Sequence, residues 1–280
     1  MTSQKSNKLN DILSKYIEIE TVAGRLGDKI GRFEDAEHNF VYLKSGTGVS
    51  GDSLELEAEV LKWLTGKGIT IPQILDFGYD EDRVYLLISG VKGQPPYKYK
   101  EREKDELLKI TAQALRTFHQ VDMTGSESLN NLNKDLQKID RYLKLGVIIL
   151  EDFKMANEGK TPEEVFDFLK LEKGKFEANV LTHGDFCLPN ILLDSDNFGI
   201  IDLGACGPGD KYKDLSSMEV SIKRNFGAEW VSVFNQHYDP NLIMDKDKIR
   251  YFQLIDQFEY HLDIDKFYQL TKADDGRSKK

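Results

Sequence analysis

Residues 181–202 constrain this 280-residue chain more than any other segment. They run Leu181-Thr182-His183-Gly184-Asp185-Phe186-Cys187-Leu188-Pro189-Asn190, then the apolar Ile191-Leu192-Leu193, a polar turn at 194–197, and a second apolar run that ends on Asp202. Such a pattern is a loop feeding a tight antiparallel hairpin. With the turn centred on Asp196, Asn190 and Asp202 each stand six residues from the centre and are expected opposite one another at the open end.

Two oxygen-bearing side chains at one end of a hairpin suit a hard cation. Mg²⁺ seeks oxygen donors in near-octahedral array and commonly takes one or two protein groups beside substrate phosphates. Asp185, five residues before Asn190, is expected over the same end, where it can orient an attacking hydroxyl or accept its proton. Any one of these acidic residues alone reads as a solvated turn or a cap. Together, His-Gly-Asp, the following Asn and the later Asp-x-Gly point to phosphoryl transfer of the kinase type.

The rest of the chain frames that site. Strands are expected at 29–33, 40–44 and 84–88, and one helix between the second and third. There Leu54, Ala58, Leu61 and Leu64 recur at helical spacing, Asp52 and Glu55 resemble a capping box, and Gly66 ends the helix. After Gly93-Gln94-Pro95-Pro96 the pattern turns helical. Leu108, Ala112, Leu115 and His119 share one helix face, and Thr161-Pro162-Glu163-Glu164 announces a helix through Leu169. Two helices are expected after Asp214, the last over 246–270 with Tyr251, Phe252, Phe258 and Phe267 as core. The polar tail 272–280 is expected to fray.

A net charge of −10 argues against nucleic acid as a partner and favours a cationic ligand. No run approaches the roughly 20 apolar residues that span a bilayer, and the start of the chain lacks a secretory pattern, so no membrane partner and a cytoplasmic location are expected. The two cysteines, Cys187 and Cys206, flank the hairpin and agree with a reducing compartment.

The sequence resembles the aminoglycoside 3′-phosphotransferases. The resemblance rests on Thr-His-Gly-Asp-x-Cys-Leu-Pro-Asn at 182–190, Ile-Asp-Leu-Gly at 201–204 and Asp-Lys-Tyr-Lys-Asp-Leu at 210–215, and extends over roughly residues 24–258. It implies an α+β, two-lobed protein-kinase-like fold. Residues 1–92 would form a nucleotide-binding lobe with a five-stranded antiparallel sheet and one helix, and 93–280 a mainly helical lobe carrying the catalytic hairpin. It implies ATP-dependent phosphorylation, with GTP an open alternative, of a hydroxyl on aminoglycosides such as kanamycin or neomycin, conferring resistance, by a monomer.

Residue by residue, the resemblance makes Asp185 catalytic, Asn190 and Asp202 the Mg²⁺ ligands, and Asp214 their support. Lys44 would reach the nucleotide's α- and β-phosphates with Glu57 as its ion-pair partner. The backbone near Ser89 and Val91 would meet the adenine edge, and residues 24–28 would cover the phosphates. Glu151, Asp152 and Asp256 would bind the cationic substrate. Lys154 stands where a further acid is expected, and Ala205 where an arginine is common. Two other readings stay open: a kinase of the same fold acting on another small-molecule hydroxyl, and a nucleotide-binding pseudokinase.

Overall fold

The computed structural model describes residues 9–23, 29–80 and 83–275. The chain divides into two compact units. Among these residues the first unit holds 9–65, 71–91 and 264–275, and the second holds 66–70 and 92–263.

In the first unit, β1 (Ile17–Ala23), β2 (Lys29–Glu34), β3 (Phe40–Gly46), β4 (Ile74–Asp80) and β5 (Arg83–Ser89) form one sheet in the order β1-β2-β3-β5-β4, every neighbouring pair antiparallel. The continuous apolar run of β5 is explained by its place between two strands, with Val84 through Ile88 all buried. β1 alternates isoleucine with glutamate at the sheet edge, and Ile17 is 74% exposed, so no buried face marks it in sequence.

Helix α1 (Val49–Leu64) buries Leu54, Ala58, Leu61 and Leu64, as their spacing requires. It begins three residues before Asp52, after Gly48 in the left-handed region, and has no side-chain cap. The expected capping box at Asp52 is therefore corrected. The Ser50 hydroxyl instead ties the entry, accepting from Thr47 N at 3.0 Å and donating to Thr47 O at 2.9 Å. The expected phosphate-covering loop at 24–28 lies outside the described residues.

The second unit carries α2 (Lys104–His119), α3 (Leu132–Leu145), α4 (Leu150–Ala156), α5 (Pro162–Glu172), β6 (Val180–Thr182), β7 (Ile191–Asp194), β8 (Asn197–Ile200), β9 (Gly207–Gly209), α6 (Tyr212–Asn225), α7 (Trp230–Tyr238) and α8 (Lys246–Tyr260). Thr161 and Glu164 form the reciprocal cap that their sequence announces, with Pro162 in the first turn of α5. β7 pairs with β8 and β6 with β9. Ile191, Leu193 and Ile200 seat the hairpin in the core with no exposed area.

The single helix expected over 246–270 is two, α8 and α9 (Ile264–Asp275). Residues 261–263 are drawn out of helical form by pairing with the 147–149 segment. Ile149 N donates to His261 O at 2.8 Å, and Asp263 N to Val147 O at 2.7 Å. The aromatic spacing continues through both helices, so nothing in the periodicity marks that break. Tyr251, Phe252, Phe258 and Phe267 are all buried. Two further corrections follow: α9 groups with the first unit rather than the second, and it carries helix through Asp275, into the segment expected to fray.

Candidate active site

The hairpin register is Ile191↔Ile200 through Asp194↔Asn197, which centres the turn between Ser195 and Asp196. Asn190 therefore lies opposite Ile201, whose N–H donates to Asn190 O at 3.0 Å, and Asp202 falls one residue beyond the expected pairing. A one-residue slip in a ladder reverses the face of a side chain. Here Asp202 leaves the strand with φ 63, a left-handed conformation that aspartate tolerates better than most residues.

The Asn190 side chain donates to Asp185 O at 3.0 Å and to Asp185 Oδ2 at 3.2 Å. Its amide hydrogens are thus spent on Asp185, and Oδ1 is the atom left to ligate. Asn190 is buried while Asp185 and Asp202 are exposed, a fixed amide beneath two accessible carboxylates. The Cys187 thiol reports both charges. Burial pushes its pKa up, and the negative fields of Asp185 and Asp202 push it further. Cys187 and Cys206 are both free thiols.

Asp185 is aimed by what precedes it. Gly184 has φ +91, and a Cβ there would lie 2.3 Å from Ala205 O, so only glycine fits between the two loops. The backbone N–H groups of His183 and Gly184 donate to Asp214 Oδ2 at 2.8 Å and Oδ1 at 2.9 Å. Asp214 sits in the first turn of α6 with no exposed area. Burial opposes its charge, but the His119 hydrogen bond and the fields of His119 and His183 hold it below the usual carboxylate range. His183 accepts from Asp185 N at 3.2 Å through Nδ1, which leaves Nε2 to donate to Ile201 O at 2.9 Å. This histidine therefore joins the loop carrying Asp185 to Ile201, the residue before Asp202.

Around Asp185 the surroundings are acidic. Asp256, half-buried on α8, is pushed up to about 7, chiefly by burial, with Asp185, Glu259 and Asp135 adding to the effect and Lys213 opposing it. Among the described residues it has no hydrogen-bond or ion-pair partner. Its neighbours are paired: Lys213 with Asp135 at 2.7 Å and Lys138 with Glu259 at 2.5 Å. The phenol of Tyr260 is also raised, by burial and then by Asp256 and Asp185. Glu151 and Asp152 are exposed in the first turn of α4, and no hydrogen bond or ion pair among the described residues joins either to Asp185.

In the first unit, Lys44 Nζ donates to both oxygens of Glu57 at 2.7 and 2.8 Å. Glu57 is 4% exposed, so the pair is largely withdrawn from water. Ser89 N donates to Gln73 O at 2.9 Å and its hydroxyl accepts from Gln73 N at 2.9 Å. The Ser89 donor is consequently spent within the unit. The sequence reading missed the Lys213–Asp135 pair and the His119–Tyr238 contact described below; both join residues far apart in sequence.

The phosphotransferase enzyme family matches residues 40–252. An aminoglycoside 3′-phosphotransferase from Niallia circulans is 30% identical over 238 residues, 84% of this chain and 90% of that protein. The crystal structure of an aminoglycoside 3′-phosphotransferase of type VIII superposes with a TM-score of 0.77 at 23% identity, covering 91% of this chain and 99% of that one. An aminoglycoside phosphotransferase from Streptomyces rimosus, in complex with ADP and streptomycin, superposes with a TM-score of 0.68 at 24% identity, covering 90% and 97%.

Proposed function

Because this chain belongs to the aminoglycoside phosphotransferase family of phosphotransferase enzymes, we propose that it transfers the γ-phosphate of ATP to the 3′-hydroxyl of aminoglycosides such as kanamycin or neomycin, and so confers resistance. The observation that carries this reading is the exposed Asp185 carboxylate, held by the Asn190 amide at the end of the hairpin and near Asp256, which has no hydrogen-bond or ion-pair partner among the described residues.

Asp185 orients the attacking hydroxyl and receives its proton as the oxygen–phosphorus bond forms and the bond to ADP breaks. Asn190 Oδ1 and the Asp202 carboxylate are one neutral and one anionic oxygen donor. That set would suit Mg²⁺, which Asn190 and Asp202 would hold and which would supply neutralisation of phosphate charge. Lys44, oriented by Glu57, pairs with the α- and β-phosphates, and the backbone at Val91 supplies the donor to the base. Glu151, Asp152 and Asp256 accept charge-assisted hydrogen bonds from substrate ammonium groups. The protein acts as a monomer in the cytoplasm. No helix among the described residues is long and apolar enough to cross a membrane.

Incubation with ATP, Mg²⁺ and a panel of aminoglycosides, with the new phosphate located by NMR, tests the reading. A 3′-phosphorylated product, absent with Asp185→Asn at full folding, is expected. No transfer to any member of the panel, or near-normal turnover in the Asp185 variant, overturns it.

A further inference from the structure

A buried chain of hydrogen bonds ends on the loop that carries Asp185. We propose that Tyr238 and His119 form a positioning relay that holds Asp214 against this loop and thereby sets the aim of Asp185; the inference rests on the catalytic reading of Asp185 above. His119 Nε2 lies 3.0 Å from Asp214 Oδ2, and His119 Nδ1 lies 2.8 Å from the Tyr238 hydroxyl. All three residues are buried, at 0% exposure for Asp214, 8% for His119 and 7% for Tyr238.

The direction of the relay follows from the chemistry of its members. An ionised carboxylate only accepts hydrogen bonds, so His119 Nε2 must bear the hydrogen. Nδ1 is then left to the Tyr238 hydroxyl, and that bond fixes both tautomer and ring orientation. Tyr238 keeps its proton, because burial and the Asp214 field push its phenol up. It is itself held. Its ring meets the His119 ring edge-on at 5.8 Å, and Arg116 of α2 donates to the carbonyl oxygens of His237 and Tyr238 at the end of α7.

The link to chemistry lies in Asp214 Oδ2, which serves two partners, His119 Nε2 and His183 N, while Oδ1 serves Gly184 N. Loss of the ring's orientation frees the carboxylate to turn. Because Asp214 holds the backbone N–H groups of His183 and Gly184, the two residues before Asp185, a turn of its carboxylate is passed along the loop to Asp185. α7 thus reaches the reacting group without touching substrate.

Tyr238→Phe removes one hydroxyl and keeps the ring. His119→Gln retains a donor for Asp214, whereas His119→Leu does not. These variants and Asp185→Asn would be assayed with ATP and either kanamycin or neomycin, whichever turns over faster, with folding checked by near-UV circular dichroism. Tyr238→Phe is expected to lower kcat about three- to tenfold, the scale of one buried hydrogen bond, with both KM values within about twofold. His119→Gln should retain more turnover than His119→Leu. Wild-type kcat in Tyr238→Phe, equal kcat in the two folded His119 variants, or a raised KM with kcat unchanged overturns the relay. If Asp185→Asn is inactive while Tyr238→Phe is unaffected, the relay alone falls. Near-normal turnover in Asp185→Asn removes the catalytic reading and the relay with it.

Discussion

Asp214 and Asp256 are two aspartates of one unit whose burial leads to opposite outcomes. Asp214 is fully buried and Asp256 half-buried, and burial disfavours the charge of both. Asp214 recovers more than it loses from two backbone N–H groups and the His119 ring, and its pKa falls. Asp256 recovers less than it loses: Lys213, which opposes the rise, is itself paired with Asp135, and the pKa of Asp256 rises to about 7. Burial alone does not decide the charge of a carboxylate; the donors supplied with it do. One aspartate is satisfied by donors from its own chain; the other has no hydrogen-bond or ion-pair partner among the described residues, and on the proposed reading a substrate ammonium would supply one.

The contrast is broken most directly at Asp214. Asp214→Ala strands two backbone donors and a histidine in the core, and is expected to lower stability by about 3–5 kcal/mol, read from the denaturant midpoint, and to abolish transfer. A smaller loss is expected in Gly184→Ala, which leaves Asp214 intact but forces the catalytic loop off Ala205 and away from its left-handed conformation. Its kcat should fall about 100-fold, with nucleotide affinity measured by calorimetry unchanged.

Asp256 should respond to pH in the opposite sense. A carboxyl whose folded-state pKa is raised contributes stability that is present below its ordinary value and lost as pH rises through about 7. Asp214, with a depressed pKa, contributes stability above the ordinary value that is lost only in acid. Asp256→Asn is therefore expected to gain stability relative to the parent between pH 5 and pH 8, by thermal unfolding at each pH. Over the same range the parent's KM for a cationic aminoglycoside should fall as Asp256 ionises. The variant's KM should stay flat and stand about tenfold higher at pH 8. The smallest effects belong to Glu151→Gln and Asp152→Asn. As exposed charges, each should raise KM by about twofold, and less at high salt.

Much of the site was legible because its residues are close in sequence. Asp185, Asn190 and Asp202 lie within one loop and hairpin, so spacing alone predicted that they share an end. It missed the register by one residue, since a two-residue turn and a turn centred on Asp196 leave the same apolar pattern. Lys44 and Glu57 were placed by resemblance, and their contact spans a strand and a helix. The Asp256 environment was not legible, because its neighbours come from α3, α6 and the catalytic loop. His119 could be assigned only to a buried helix face; its partners lie 95 and 119 residues away.

What the sequence determined by itself is local: the strand of five apolar residues, the helical stripes, the cap at Thr161 and the order of oxygen donors along the hairpin. These follow from side-chain period and from turn and capping chemistry, which act over a few residues. Only the tertiary structure decided the surroundings of Asp214 and Asp256, the break between α8 and α9, and the contact of Tyr238 on α7 with His119. Each depends on which donor or dipole another part of the chain brings within about 3 Å, and such distances are set by packing rather than by neighbours in sequence.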